Sequence, residues 1–171
     1  METTVFDKKR DEVLNAMIAF DKGDAKRIQH LIKVYTYAAL IGRGEDLPEE
    51  TQQTLELAAI LHDIGIHAAE KKYGSPAGIY QEKEGPEPAR QLLHEVSGIP
   101  EAMIERIAYL IGHHHTYKHV DGEDYQILLE ADFLVNAYED ELSPKALLSF
   151  REKVFRTATG TRLLNTIYSL D

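Results

Sequence analysis

The sequence predicts an all-α fold: a single-domain helical bundle of about seven or eight helices. Three observations carry that prediction. Apolar residues recur at helical spacing along almost the whole chain, capping residues stand before several of these runs, and no segment alternates in the manner of a strand. In residues 5–20, Val13, Leu14, Met17, Ile18 and Phe20 lie among charges, the pattern of an amphipathic helix. Gly23 and Asp24 interrupt it, and Asp24 is placed to cap a second helix. That helix carries Ile28, Leu31, Ile32, Tyr35, Ala38 and Ala39 on or near one face and stops at Gly42 and Gly44. Pro48 opens a third, with Glu49 and Glu50 in the first turn where carboxylates suit the helix dipole. This helix runs to Asp63 and loosens around Gly65. Between residues 73 and 88 the pattern fails, and three glycines and three prolines mark a loop, which at this length inside a domain is often functional. Helices are expected again at about 87–96, 100–114 and 124–138, with another starting at Ser143-Pro144 and a short last one at 161–170.

The 171 residues suit one domain, 1–171, with a core at about 24–140 on which helices of 141–171 pack. Lys and Arg total 19 against 29 Asp and Glu, a formal net charge of −10. That balance argues against a nucleic-acid backbone or an anionic membrane as partner. It leaves room for a small anionic substrate, because a bound metal reverses the local field. Cysteine is absent, which removes disulfides and thiolate ligands. The N-terminal residues are charged and lack the apolar stretch of a signal peptide, and no apolar run approaches a membrane span. A soluble cytoplasmic protein is the expectation, with a homodimer as the base-rate oligomer.

Polar residues able to bind a metal recur in apolar helical surroundings. His30 lies among Ile28, Leu31 and Ile32; His62 and Asp63 follow Ala58, Ala59, Ile60 and Leu61. His113, His114 and His115 follow Ile107, Ala108, Leu110 and Ile111, and Asp132 sits between Leu128, Leu129, Phe133 and Leu134. Taken singly, each is an ordinary hydrogen-bonded core residue. Together, four helical contexts present imidazole nitrogen or carboxylate oxygen, the mixed set that divalent metals bind. Adjacent helix residues point about 100° apart, so His62 and Asp63 reach one ion only if the helix ends or bends there. Gly65 permits that, and Ala58 and Ala59 let neighbouring helices approach closely.

In this order and context, H…HD…D resembles the HD-domain metal-dependent phosphohydrolase superfamily, over residues 29–138. The resemblance implies an α-helical core in which His30, His62, Asp63 and Asp132 bind a divalent ion, one or two per chain, of Fe, Mn, Zn, Ni, Co or Mg. Dinuclear branches add a histidine before a Gly-Ala pair and a later histidine doublet. The doublet matches His114 and His115, with His113 the alternative register. Glu84, in EGPEPA, stands where the added histidine would be, so a carboxylate takes the place of an imidazole there. The cyclic-dinucleotide branch carries a lysine where this chain has Ile66 and a Gly-Tyr-Pro signature that is missing after His115, which argues against that branch.

The expected activity is a phosphohydrolase using metal-activated water on a nucleotide or other small phosphorylated metabolite, through a phosphomonoester, phosphodiester or phosphoanhydride bond. Asp63 is the catalytic candidate, as a bridging or base-side carboxylate. Lys71, Lys72 and Arg90 flank the loop and are candidates to pair with phosphate oxygens, although a solvated surface charge is the commoner role for each. Tyr80, Gln81 and Glu82 are candidates for a lid or substrate wall. His67 either lines the site or faces solvent, while His94 and His119 read as surface residues. The competing functions are dinuclear-iron oxygenase chemistry, which needs the fuller ligand set, and a non-catalytic metal-binding module, whose site would be closed.

Overall fold

Ten α-helices account for most of residues 4–170, the part described by the structure, which is a computed structural model. In chain order they are α1 (Val5–Phe20), α2 (Ala25–Gly44), α3 (Glu49–Leu61), α4 (Ile66–Tyr73), α5 (Gly78–Glu84), α6 (Pro86–Glu95), α7 (Glu101–Ile111), α8 (Glu123–Glu139), α9 (Pro144–Val154) and α10 (Ala158–Tyr168). No strand occurs among the described residues. Local chemistry explains the starts. Thr4 and Asp7 form a reciprocal capping box at α1, and Asp24 accepts from the Arg27 backbone N–H at α2, as its position in the sequence predicts. Ser143 and Thr157 cap α9 and α10 in the same way.

The centre is built by α2, α3, α7 and α8: α2 lies against α3 and α8, and α3 also touches α7 and α8. In α3 every residue from Thr54 to Leu61 is buried, and in α8 every residue from Asp124 to Val135 except Gln126. Helices covered on all sides lie at the middle of a bundle, so His62, Asp63 and Asp132 are buried because their helices are central. α1 packs on α3, α6 pairs with α7, α4 with α5, and α9 and α10 cover α8. No helix among the described residues is long and apolar enough to cross a membrane.

Two helices exceed the expected number, and both explain a misread signal. The segment predicted as an irregular loop at 73–88 is mostly helical, with only residues 74–77 and Gly85 between α4, α5 and α6. Pro86 occupies the first turn of α6, where no backbone donor is needed. Two of the glycines serve close packing. A Cβ on Gly78 would stand 2.5 Å from the His115 ring, and one on Gly65 would stand 2.5 Å from the backbone nitrogen of Gly85. The second contact lets the turn after α3 press on the α5–α6 junction. Smaller differences are the end of α7 at Ile111, which leaves all three consecutive histidines in a turn, and the last helix at Ala158–Tyr168.

Candidate metal centre

α3 ends at Leu61, and His62 to Gly65 form a turn, so the bend that the His-Asp doublet requires is present. His30 from α2, His62 from this turn and Asp132 from α8 converge. His30 Nε2 lies 3.2 Å from His62 Nε2 and 3.2 Å from Asp132 Oδ1, and His62 Nε2 lies 3.4 Å from Asp132 Oδ1. Ligands about 2.1 Å from one ion stand roughly 3.0–3.4 Å from each other, so this triangle has the size of a coordination face. Asp63, His114 and His115 form a second buried or half-buried group of metal-binding size.

Asp63 links the two groups. Its Oδ1 is 3.2 Å from His114 Nε2 and 3.6 Å from His62 Nε2, and its Oδ2 is 3.5 Å from His30 Nε2. The ring orientations are set from behind. His62 Nδ1 donates to the Ala59 carbonyl (2.8 Å) and His114 Nδ1 to that of Ile111 (2.7 Å), leaving each Nε2 directed at the cluster. His30 Nδ1 faces the Glu139 carboxylate at 2.9 Å, and Lys33 holds that carboxylate at 2.6 Å. The buried His115 Nε2 has no protein partner. An orphaned imidazole nitrogen beside Asp63 and His114 is what a metal ligand looks like before the ion is added, so the residues fit a divalent cation.

The charges agree with that fit. Burial works against a charge on His30, but the hydrogen bond to Asp132 and the charges of Asp63 and Asp132 outweigh it and raise its pKa to about 9. His62 is raised against the same burial penalty by Asp63 and Asp132. Burial would raise Asp63 and Asp132, yet His62 and His114 hold Asp63, and His30 and His62 hold Asp132, well below the usual carboxylate range. His115 is lowered to about 4 by burial, reinforced by His114, and keeps its lone pair. The ion-free cluster thus balances buried carboxylates with imidazolium protons, which a divalent cation would replace.

The remaining sequence candidates lie elsewhere. Glu84 joins neither group: its carboxylate is taken by Lys72 (2.9 Å) and the Tyr73 hydroxyl (2.7 Å) at the end of α4. Lys72 is thereby engaged, Arg90 makes a two-point pair with Glu105 (2.7 and 2.9 Å), and Lys71 is exposed. His113 stacks on Tyr109 and donates to its carbonyl, outside both groups. His94 pairs with Glu101 at the surface. Tyr80 stacks on Tyr73 and Gln81 is buried on α5, so this part of the chain is a packed wall and not a free lid. Glu82 is closer to the centre than Glu84, since its Oε1 accepts from the His115 backbone N–H and the Thr116 hydroxyl, both at 2.9 Å.

Three supporting residues escape the sequence reading. Arg27 Nη1 is 3.1 Å from Asp63 Oδ2, Glu139 orients His30, and the Tyr125 hydroxyl reaches the carbonyls of His113 and Thr116, tying the histidine turn to α8. Helical spacing holds the signal. Arg27 precedes His30 by one turn, and Tyr125, Asp132 and Glu139 follow at intervals of seven on one face of α8.

Comparison with known proteins agrees with this geometry. The HD domain family matches residues 27–148, which span every residue of both ligand groups. The crystal structure of a predicted HD-superfamily hydrolase from an uncultured Thermotogales bacterium superposes with a TM-score of 0.68 at 25% identity, covering 93% of this chain and 84% of its own. No curated protein matches the chain. With the histidine and aspartate groups inside the matched span, the chain belongs to the HD-domain family.

Proposed function

We propose that the protein is a metal-dependent phosphohydrolase acting on a nucleotide or another small phosphorylated metabolite. The observation that carries this reading is the position of Asp63, between two ligand groups and against the Arg27 guanidinium. When bound, a divalent ion supplies Lewis acidity toward a phosphoryl oxygen and lowers the pKa of water toward neutrality. His30, His62 and Asp132 would hold one ion, and His114 and His115 a second, with Asp63 common to both.

Arg27 supplies the positive charge that a phosphate requires. Its planar donors suit phosphate oxygens, and its buried Nε has no protein partner. Lys72 and Arg90 are engaged by Glu84 and Glu105, which leaves Arg27 as the better-placed cation. In the overall reaction the water oxygen forms a new bond to phosphorus, the bond from phosphorus to the leaving oxygen breaks, and that oxygen takes up a proton. The hydrolase description of the Thermotogales structure supports this reaction class, and the net charge of −10 fits a small diffusible substrate better than a nucleic acid.

Phosphate release from nucleoside mono-, di- and triphosphates, p-nitrophenyl phosphate and bis(p-nitrophenyl) phosphate tests the proposal, with each of Mg, Mn, Fe, Co, Ni and Zn. The expected result is metal-dependent turnover of at least one compound, abolished in His62→Ala and raised in KM in Arg27→Ala. Absence of turnover with every pairing counts against it. The two linked ligand groups also suit a dinuclear-iron oxygenase. Oxygen consumption by the iron-loaded protein, without phosphate release, would favour that reading.

A further inference from the structure

We propose a third divalent-cation site, at the meeting point of the end of α1, the start of α2 and the first turn of α4, built from Asp21, Asp24 and His67. It shares no residue with the metal centre and does not depend on the hydrolase reading. Asp21 closes α1, with its backbone N–H bonded to the Met17 carbonyl, so its side chain is fixed in place. That side chain is fully buried, and neither carboxylate oxygen has a hydrogen-bond partner. Elsewhere in this protein, buried carboxylates are surrounded by donors; Glu130 is an example.

The nearest polar group is the His67 imidazole. His67 Nε2 is 3.5 Å from Asp21 Oδ1 and 3.3 Å from Asp24 Oδ2. Both separations exceed the usual hydrogen-bond range of about 2.7–3.2 Å. They match the spacing of roughly 3.4 Å between nitrogen and oxygen ligands around a tetrahedral ion. The ring's other nitrogen, Nδ1, lies 3.7 Å from Glu70 Oε2, which repeats the way Glu139 backs His30. Asp24 is held by its other oxygen, which caps the Arg27 backbone N–H at 3.0 Å. His67 is 42% exposed, so the position opens to solvent while its carboxylate floor is buried.

One imidazole and two carboxylates form a set that suits Zn2+ or Mn2+. The site flanks the metal centre through Arg27, whose backbone meets Asp24 and whose guanidinium meets Asp63. Zinc titration of the full chain by calorimetry, with anomalous diffraction from zinc-soaked crystals, tests the assignment. The expected result is an anomalous peak between His67 Nε2 and the Asp21 carboxylate, and one ion per chain fewer in Asp21→Asn and in His67→Ala. Binding at the centre formed by His30, His62 and Asp132 persists in both variants. Because His67 is partly exposed, His67→Ala keeps the fold and gives a clean comparison. Peaks confined to the central cluster, with unchanged stoichiometry in both variants, overturn the proposal and leave Asp21 hydrated.

Discussion

Glu130 and Asp132 stand two residues apart on α8, both buried, and their charges are met in opposite ways. Glu130 accepts from the Gln126 side chain, the backbone N–H groups of Arg156 and Thr157, and the Thr157 hydroxyl. All are neutral donors fixed by the fold, and they tie α8 to the segment between α9 and α10. Asp132 has one such donor, Asn136 at 2.9 Å, and otherwise faces the imidazoles of His30 and His62. A shell of amides and hydroxyls has nothing to exchange. An imidazole shell can give up its protons to a cation and keep the same geometry. The difference separates a carboxylate that holds the bundle together from one that belongs to a site.

The sharpest way to break this comparison is to truncate each residue. Asp132→Ala should remove metal binding and lower turnover by about 100- to 1000-fold, about 3–4 kcal/mol of lost charge stabilisation, while circular dichroism stays helical. Glu130→Ala should do the reverse. Leaving buried donors unpaired should destabilise the fold by about 3 kcal/mol, read as a lower denaturation midpoint, with the metal content unchanged. If Glu130→Ala lost its metal and Asp132→Ala lost its fold, the assignment of the two roles would be inverted.

A smaller effect is expected one step out. Glu139→Gln keeps the shape but removes the charge behind His30, and should weaken metal affinity about 10- to 100-fold, measurable by competition with a chelating dye. The mildest probe is pH. His30 has a folded pKa of about 9 against an unfolded value near 6.5. Its pKa is raised on folding, so its stabilising contribution to the metal-free protein is complete below about pH 6.5 and is lost as pH rises through about 9. Metal competes for the same nitrogen, so apparent affinity should climb between pH 6.5 and 9 and level off above, as titrations in a series of buffers would show. A flat profile would mean that His30 does not exchange its proton for the ion.

Much of this architecture is legible in the sequence. The extent of α1, the Asp24 cap and the run of α8 follow from apolar periodicity and capping chemistry, which act locally. His30, His62, Asp63 and Asp132 stand out because each interrupts an apolar background, and the structure brings these four side chains together. The region at 73–88 misleads because glycine and proline carry two meanings. Gly78 makes room for the His115 ring, and Pro86 begins a helix. Glu84 is a matter of direction: a motif fixes the place of a residue along the chain, whereas Tyr73 and Lys72 decide where its carboxylate goes. Arg27 and Glu139 act through side chains distant in sequence, and only packing shows which acidic or basic residue of a helix faces inward.

The central claim is that His30, His62, Asp63 and Asp132 hold a divalent ion. Elemental analysis of the purified protein and of His62→Ala, each after reconstitution with Mn, Fe or Zn and gel filtration, tests it most directly. The account predicts that the wild-type chain retains metal stoichiometrically and that His62→Ala, still helical, retains at least one ion per chain fewer. No retained metal in the wild type, or equal content in the two proteins, would contradict it.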